Sequence, residues 1–184
     1  MKTKELILVS LFAALTAVGA FIRIPIPYVP FTLQFLFCAF AGMLLGSRLG
    51  ALSQIVYVTI GLIGVPVFTE GGGPGYIFKP TFGYLIGFIV SAYVIGKITE
   101  KIKELTLVKA LSATLSGLFF VYLLGVPYLY LVYNLYLGES KTVEWAIFYG
   151  FTICIGSDLL LSLIVAVTAV KVVSFAKKNR LSLN

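Results

Sequence analysis

The sequence has no histidine, one tryptophan, two cysteines and only seven acidic residues. Without histidine the chain lacks the side chain most often used for proton transfer near neutral pH and for transition-metal binding. Cys38 and Cys154 lie in separate apolar runs with no CxxC spacing, so they read as small buried hydrophobes and not as a disulfide or metal pair. The phosphate-cradling pattern GxxxxGKS/T is absent. The nearest stretch, SAYVIGKI at 91–98, lacks the first glycine and has Ile98 where a hydroxyl is needed. HExxH and GxSxG are missing as well, and only one acid, Asp158, lies well inside an apolar run. An enzyme or a self-powered pump finds little material here, and binding is the activity that remains.

What the sequence does have is apolar length. Of its 184 residues 60% are hydrophobic and 11% charged, with a mean hydropathy of +1.05, a balance suited to a bilayer and not to water. At roughly 20 apolar residues per span there is room for about six helices. The expected fold is an all-α integral membrane protein, a single membrane domain over residues 1–184, with runs at 5–22, 31–46, 49–66, 81–97, 108–137 and 144–173. The second and third are short or re-entrant. The last two exceed a bilayer's thickness, and Pro127 is expected to kink or end the fifth. The opening MKTK and the Val18-Gly19-Ala20 ending of the first run resemble a signal peptide, but that run is expected to stay in the membrane.

The net charge of +7 sits at the ends of these runs, so it reports topology and not a nucleic-acid stripe. With both termini inside, eleven of the fourteen cations, from Lys2 to Arg180, fall on the cytoplasmic side and Arg23, Lys79 and Lys141 outside. Three stretches then face outward: IRIPIPYVPFTLQF at 22–35, the glycine-rich VPVFTEGGGPGYIFK at 65–79, and LGESKTVEW at 137–145. The prolines stiffen the first. Gly72, Gly73 and their neighbours permit an anion-binding nest in the second, which is expected to act as a lid. Tyrosines such as Tyr84 offer ring faces to an apolar ligand.

Asp158 is the most informative residue. An ionised carboxylate inside a span costs on the order of 3 kcal/mol unless it meets partners or water, so it marks a ligand site by default. The alternative is a structural tie to Gln34, Gln54 or Asn134. Counting from Trp145 at about 1.5 Å per residue places Asp158 near 20 Å along its helix. In the first run Ala13, Ala17 and Ala20 form a smooth stripe on which another helix can pack.

AALTA in the first run, PxPYVPFTLQ after it, GMLLGSRLGALSQIVYVTIGLIGVPVF, GGGPG followed by KPTFGYLIGF, and GSDLLL near the end together resemble the BioY family. This is the biotin-specific substrate-binding subunit, or S component, of energy-coupling factor (ECF) transporters. The resemblance is dense over 25–97 and sparse beyond. It implies a six-helix S-component bundle in the cell membrane that takes biotin from outside and has no cofactor of its own. Its partners would be a transmembrane coupling subunit, met by the alanine stripe, and two cytoplasmic subunits that hydrolyse ATP. The family pattern PGDxxK stands here as GSDLLL, so Asp158 matches while Gly156, Ser157 and Leu161 replace proline, glycine and lysine. Asp158 is expected to accept the ureido N–H groups, with Gln34 or Ser157 supplying the donor that Leu161 cannot. The tail carboxylate would lie near Lys79 or the glycine amides. Thiamine or riboflavin as the ligand, or a structural membrane subunit with no ligand, are the competing readings.

Overall fold

Inside a bilayer the backbone must satisfy its own hydrogen bonds, and the apolar runs accordingly become helices. The computed structural model describes residues 2–178 and has five helices long and apolar enough to cross a membrane. They are α1 (Thr3–Phe21), α2 (Gln34–Leu62), α3 (Phe82–Glu100), α4 (Leu107–Leu131, prolonged by a π turn Val132–Tyr136) and a last run. That run comprises α5 (Val143–Ile147), a π turn Phe148–Thr152 and α6 (Ile153–Lys178). Arg180, counted above among the inner cations, lies outside the described residues. Of the kink or end expected at Pro127, the end does not occur there: the residue sits inside α4, and the helical run continues to Tyr136.

The runs at 31–46 and 49–66 are two helical arms, labelled together α2, that meet at a non-helical Gly46 where the chain folds back. Gln34 Nε2 lies 2.8 Å from Tyr57 Oη, although a straight helix would separate residues 23 apart by about 34 Å. The arms are roughly 18 and 24 Å long, each shorter than the ~30 Å hydrocarbon layer. Gly46 has φ 82° and ψ 179°, a conformation open essentially to glycine alone. Glu100 closes the bend: its Oε1 accepts the Ser47 N–H at 2.7 Å and the Ser47 hydroxyl at 2.8 Å.

Without a hydrophobic force between helices in lipid, close packing relies on small residues. A Cβ on Gly50 would lie 2.8 Å from Gly42 Cα across the bend, and one on Gly87 2.8 Å from Val121 Cα. The alanine stripe of α1 serves the same end. Ala13 and Ala20 are buried in the bundle, where α1 packs on α2, and Ala17 is half-buried. The face expected to await a partner is thus largely consumed within the chain. Large apolar side chains on the outer helix faces, Leu6, Ile7, Phe119 and Leu160 among them, are exposed for lipid to cover.

All three stretches expected outside gather at one end of the bundle. The first carries a two-stranded hairpin, β1 (Arg23–Ile24) with β2 (Phe31–Thr32), in the register Arg23↔Thr32 and Ile24↔Phe31. Tyr28, at its tip, has φ 70°, a left-handed conformation uncommon for a bulky residue. Its ring meets those of Tyr133, Trp145 and Tyr149 edge-on at centroid distances of 5.8, 4.8 and 4.7 Å. Lys141 Nζ stands 5.2 Å from the Trp145 ring centre. These contacts fasten the hairpin across the mouth of the bundle.

Candidate functional site

Beneath the hairpin lies a pocket enclosing about 590 Å³ of space, open mouth included. Its walls are mainly apolar: Val29, Phe31, Phe35, Leu85, Phe88 and Val121. The polar groups are few. Asp158, Gln34, Tyr84, Tyr122, Tyr76, Thr32, Thr69 and Thr81 all line it, so residues from the hairpin, α2, the glycine-rich segment, α3, α4 and α6 converge on one space.

Asp158 of α6 accepts a hydrogen bond from the Tyr122 hydroxyl of α4. Neither Gln54 nor Asn134 is its partner. Gln54 Nε2 donates to Thr16 Oγ1 and Ser53 Oγ, and Asn134 bonds Tyr130 O and the Lys141 backbone. Tyr122 reaches only one oxygen of the carboxylate, which leaves acceptor capacity for a donor arriving in the pocket. Asp158, roughly 20 Å along its helix from Trp145, is one of the residues lining the pocket. Gln34, at the start of α2, accepts from Thr32 Oγ1 at 3.0 Å and donates to Tyr57 Oη at 2.8 Å. Tyr57 in turn donates to Val67 O at 3.1 Å. This relay ties both arms of α2 and the glycine-rich segment to one wall.

Tyr84 commits its hydroxyl to Gly150 O at 2.8 Å, and Gly125 and Gly150 leave room for its ring. With that hydroxyl engaged, its ring is what remains to line the pocket.

The other anticipated positions fall elsewhere. Lys79 lines a second, outer cavity and pairs with Glu70 at 3.0 Å. Gly72 and Gly73 line neither cavity. Gly71 and Gly73 do adopt φ of 107° and 106°, but their amides turn inward: Gly71 donates to Phe68 O and Gly73 to Gly61 O at 2.7 Å. Two of the four glycine amides expected to form a nest are thus engaged in a turn folded onto the end of α2, while Gly75 lines the outer cavity. Ser157 donates to Cys154 O on its own helix and lines neither cavity. Leu161 is buried in the core away from the pocket, and among the described residues no lysine or arginine lines the inner pocket. Sequence reasoning did not single out Tyr57 or Thr32. Their polar atoms gain meaning from partners distant in the chain.

A lipid-facing helical bundle with a half-apolar pocket open at one end and a carboxylate at its floor defines a membrane-embedded small-molecule binder. The chain belongs to the BioY family, whose model matches residues 1–178. It is 47% identical over 167 residues to the probable biotin transporter BioY of Lysinibacillus sphaericus, covering 91% of this chain and 85% of that one. It is 38% identical over 169 residues to the biotin transporter BioY of Thermotoga maritima, covering 91% and 95%. The crystal structure of the S-component for biotin from an ECF-type ABC transporter superposes with a TM-score of 0.83 at 25% identity, over 95% of each chain.

Proposed function

We propose that this protein captures biotin at the outer face of the cell membrane and delivers it into the cell as the substrate-binding subunit of an ECF-type importer. It is a transport protein and not an enzyme. The observation that carries the assignment is Asp158, held by Tyr122 at the floor of a pocket that also contains Gln34 and the ring of Tyr84. Biotin offers two ureido N–H donors, an apolar bicycle and a carboxylate on a flexible tail. Asp158 accepts from the N–H groups through charge-assisted hydrogen bonds. Tyr84, Phe35 and Phe88 enclose the bicycle. The second amide hydrogen of Gln34 serves the ureido carbonyl, a role that Leu161 cannot fill and that Ser157, turned to its own helix, leaves open. The tail points to the mouth, where Lys79 lies, while Gly72 and Gly73, which line neither cavity, stay out of contact with it.

Counting the arms of α2 separately gives six helical crossings with both termini inside, the arrangement that satisfies the charge bias of the loops. With no nucleotide motif in this chain, the energy comes from ATP hydrolysed by two cytoplasmic partner subunits, relayed through a transmembrane coupling subunit. Of the alanine stripe, Ala17 keeps surface for that contact, while Ala13 and Ala20 set the packing of α1 beneath it.

The test is thermal unfolding of the detergent-solubilised protein with biotin, thiamine or riboflavin. A ligand that binds only the folded form stabilises it by RT ln(1 + [L]/Kd), about 4 kcal/mol at a thousandfold excess over Kd. Biotin alone is expected to raise the midpoint. A shift with thiamine or riboflavin instead, or none with any of the three in a folded sample, overturns the assignment.

A further inference from the structure

The outer cavity adjoins the inner pocket, since Pro30 and Thr81 line both. It is larger, about 1330 Å³ with its open mouth, and is lined by Arg23, Tyr28, Glu70, Lys79, Tyr133 and Tyr136 among others. We propose that Arg23 is the residue that binds the carboxylate of the ligand's tail and so selects for a free acid. This rests on the reading that an acid with N–H donors at its other end occupies the inner pocket.

The two other cations at the mouth, unlike Arg23, already face an acid. Lys79 is paired with Glu70 at 3.0 Å. Lys141 is held by Glu139 at 3.1 Å and by three aromatic rings, and it lines neither cavity. The amides of Gly71 and Gly73 are spent on Phe68 O and Gly61 O. Arg23 differs: among the described residues no carboxylate lies within ion-pairing distance of it. Its guanidinium donates to Thr69 O, which uses one of five N–H donors and leaves the rest of the fork for an incoming anion.

The position is also right. Arg23 pairs with Thr32 in the hairpin and bonds Thr69, and both threonines line the inner pocket, while Arg23 itself lines the outer cavity. It therefore stands at the seam between the two spaces. With a carboxylate at the floor and a guanidinium at the seam, the site is complementary to a ligand with N–H donors at one end and a carboxylate at the other. A reversed ligand would meet like charge at the floor.

The experiment compares the Kd of biotin with that of biotinamide, whose tail is neutral, for the parent, Arg23→Gln, Arg23→Lys and Lys79→Gln. The parent and Lys79→Gln are expected to prefer biotin by about tenfold, the weight of a partly exposed charge-assisted pair. Arg23→Gln is expected to lose that preference through weaker biotin binding, with biotinamide unchanged, and Arg23→Lys to keep part of it. A preference that survives in Arg23→Gln, or vanishes in Lys79→Gln instead, overturns the proposal. An equal loss for both ligands in Arg23→Gln would make Arg23 a brace for the hairpin and also overturn it. If the parent binds neither ligand, the biotin reading itself fails and this proposal with it.

Discussion

The floor and the mouth of the site are built by different means. The floor belongs to helices: Asp158, Tyr122 and Tyr84 project from α6, α4 and α3, and their backbones are held by intrahelical bonds whatever the ligand does. The mouth belongs to loops, namely a hairpin, a glycine-rich turn and the link between α4 and α5, joined by side chains such as the Tyr28 cluster and the Lys79–Glu70 pair. The difference separates two tasks. A helix-borne floor supplies recognition, because a half-buried carboxylate left without its donors costs free energy and so discriminates. A wet, charged mouth can exchange partners with little loss, because exposed ion pairs are worth only ~0–1 kcal/mol each.

The comparison breaks most readily at Asp158. Asp158→Asn exchanges a charged acceptor for a neutral amide and is expected to weaken biotin binding about 100-fold, ~2.7 kcal/mol, by titration calorimetry. A Kd within about twofold of the parent would place recognition elsewhere. Next comes Gly46→Ala, which forces a side chain into a positive-φ bend with Glu100 Oε1 2.8 Å from the new Cβ. It is expected to cost ~2 kcal/mol of stability, seen as a lower thermal midpoint, while the Kd for biotin stays within about twofold. An equal loss of affinity would show that the bend and the floor act as one unit. The smallest effect is that of Tyr122→Phe. It removes the donor that fixes one oxygen of Asp158 and is expected to weaken biotin binding about fivefold, ~1 kcal/mol, with the fold intact. Unchanged affinity would mean that the ligand's own donors suffice to orient the carboxylate.

The floor was the more legible of the two regions. A single acid in an otherwise apolar run stands out however the chain folds, and Gln34 and Tyr84 were named beside it from motif and ring chemistry. Tyr57 stayed hidden because one tyrosine among eleven has no local signature; its place at the Gln34 relay exists only because α2 doubles back. The glycine-rich loop was read correctly for its need of positive φ but not for its amides, since no local pattern reveals that Gly61 O will take the Gly73 N–H. The alanine stripe was equally ambiguous: a smooth helix face packs on a neighbour of its own chain or of another by the same physics, and here α2 covers most of it.

What the sequence by itself determined is whatever depends on solvent and local chemistry. Apolar length demands helices in lipid, a lone carboxylate in an apolar run demands partners, and the sequence carries no GxxxxGKS/T motif. Only the tertiary structure decided which donors meet that carboxylate, which cation at the mouth lacks an acid among the described residues, and that two apolar runs fold back on each other at Gly46. Those outcomes turn on distances between residues far apart in the chain, and they follow from how small residues let the helices approach, which composition and spacing do not encode locally.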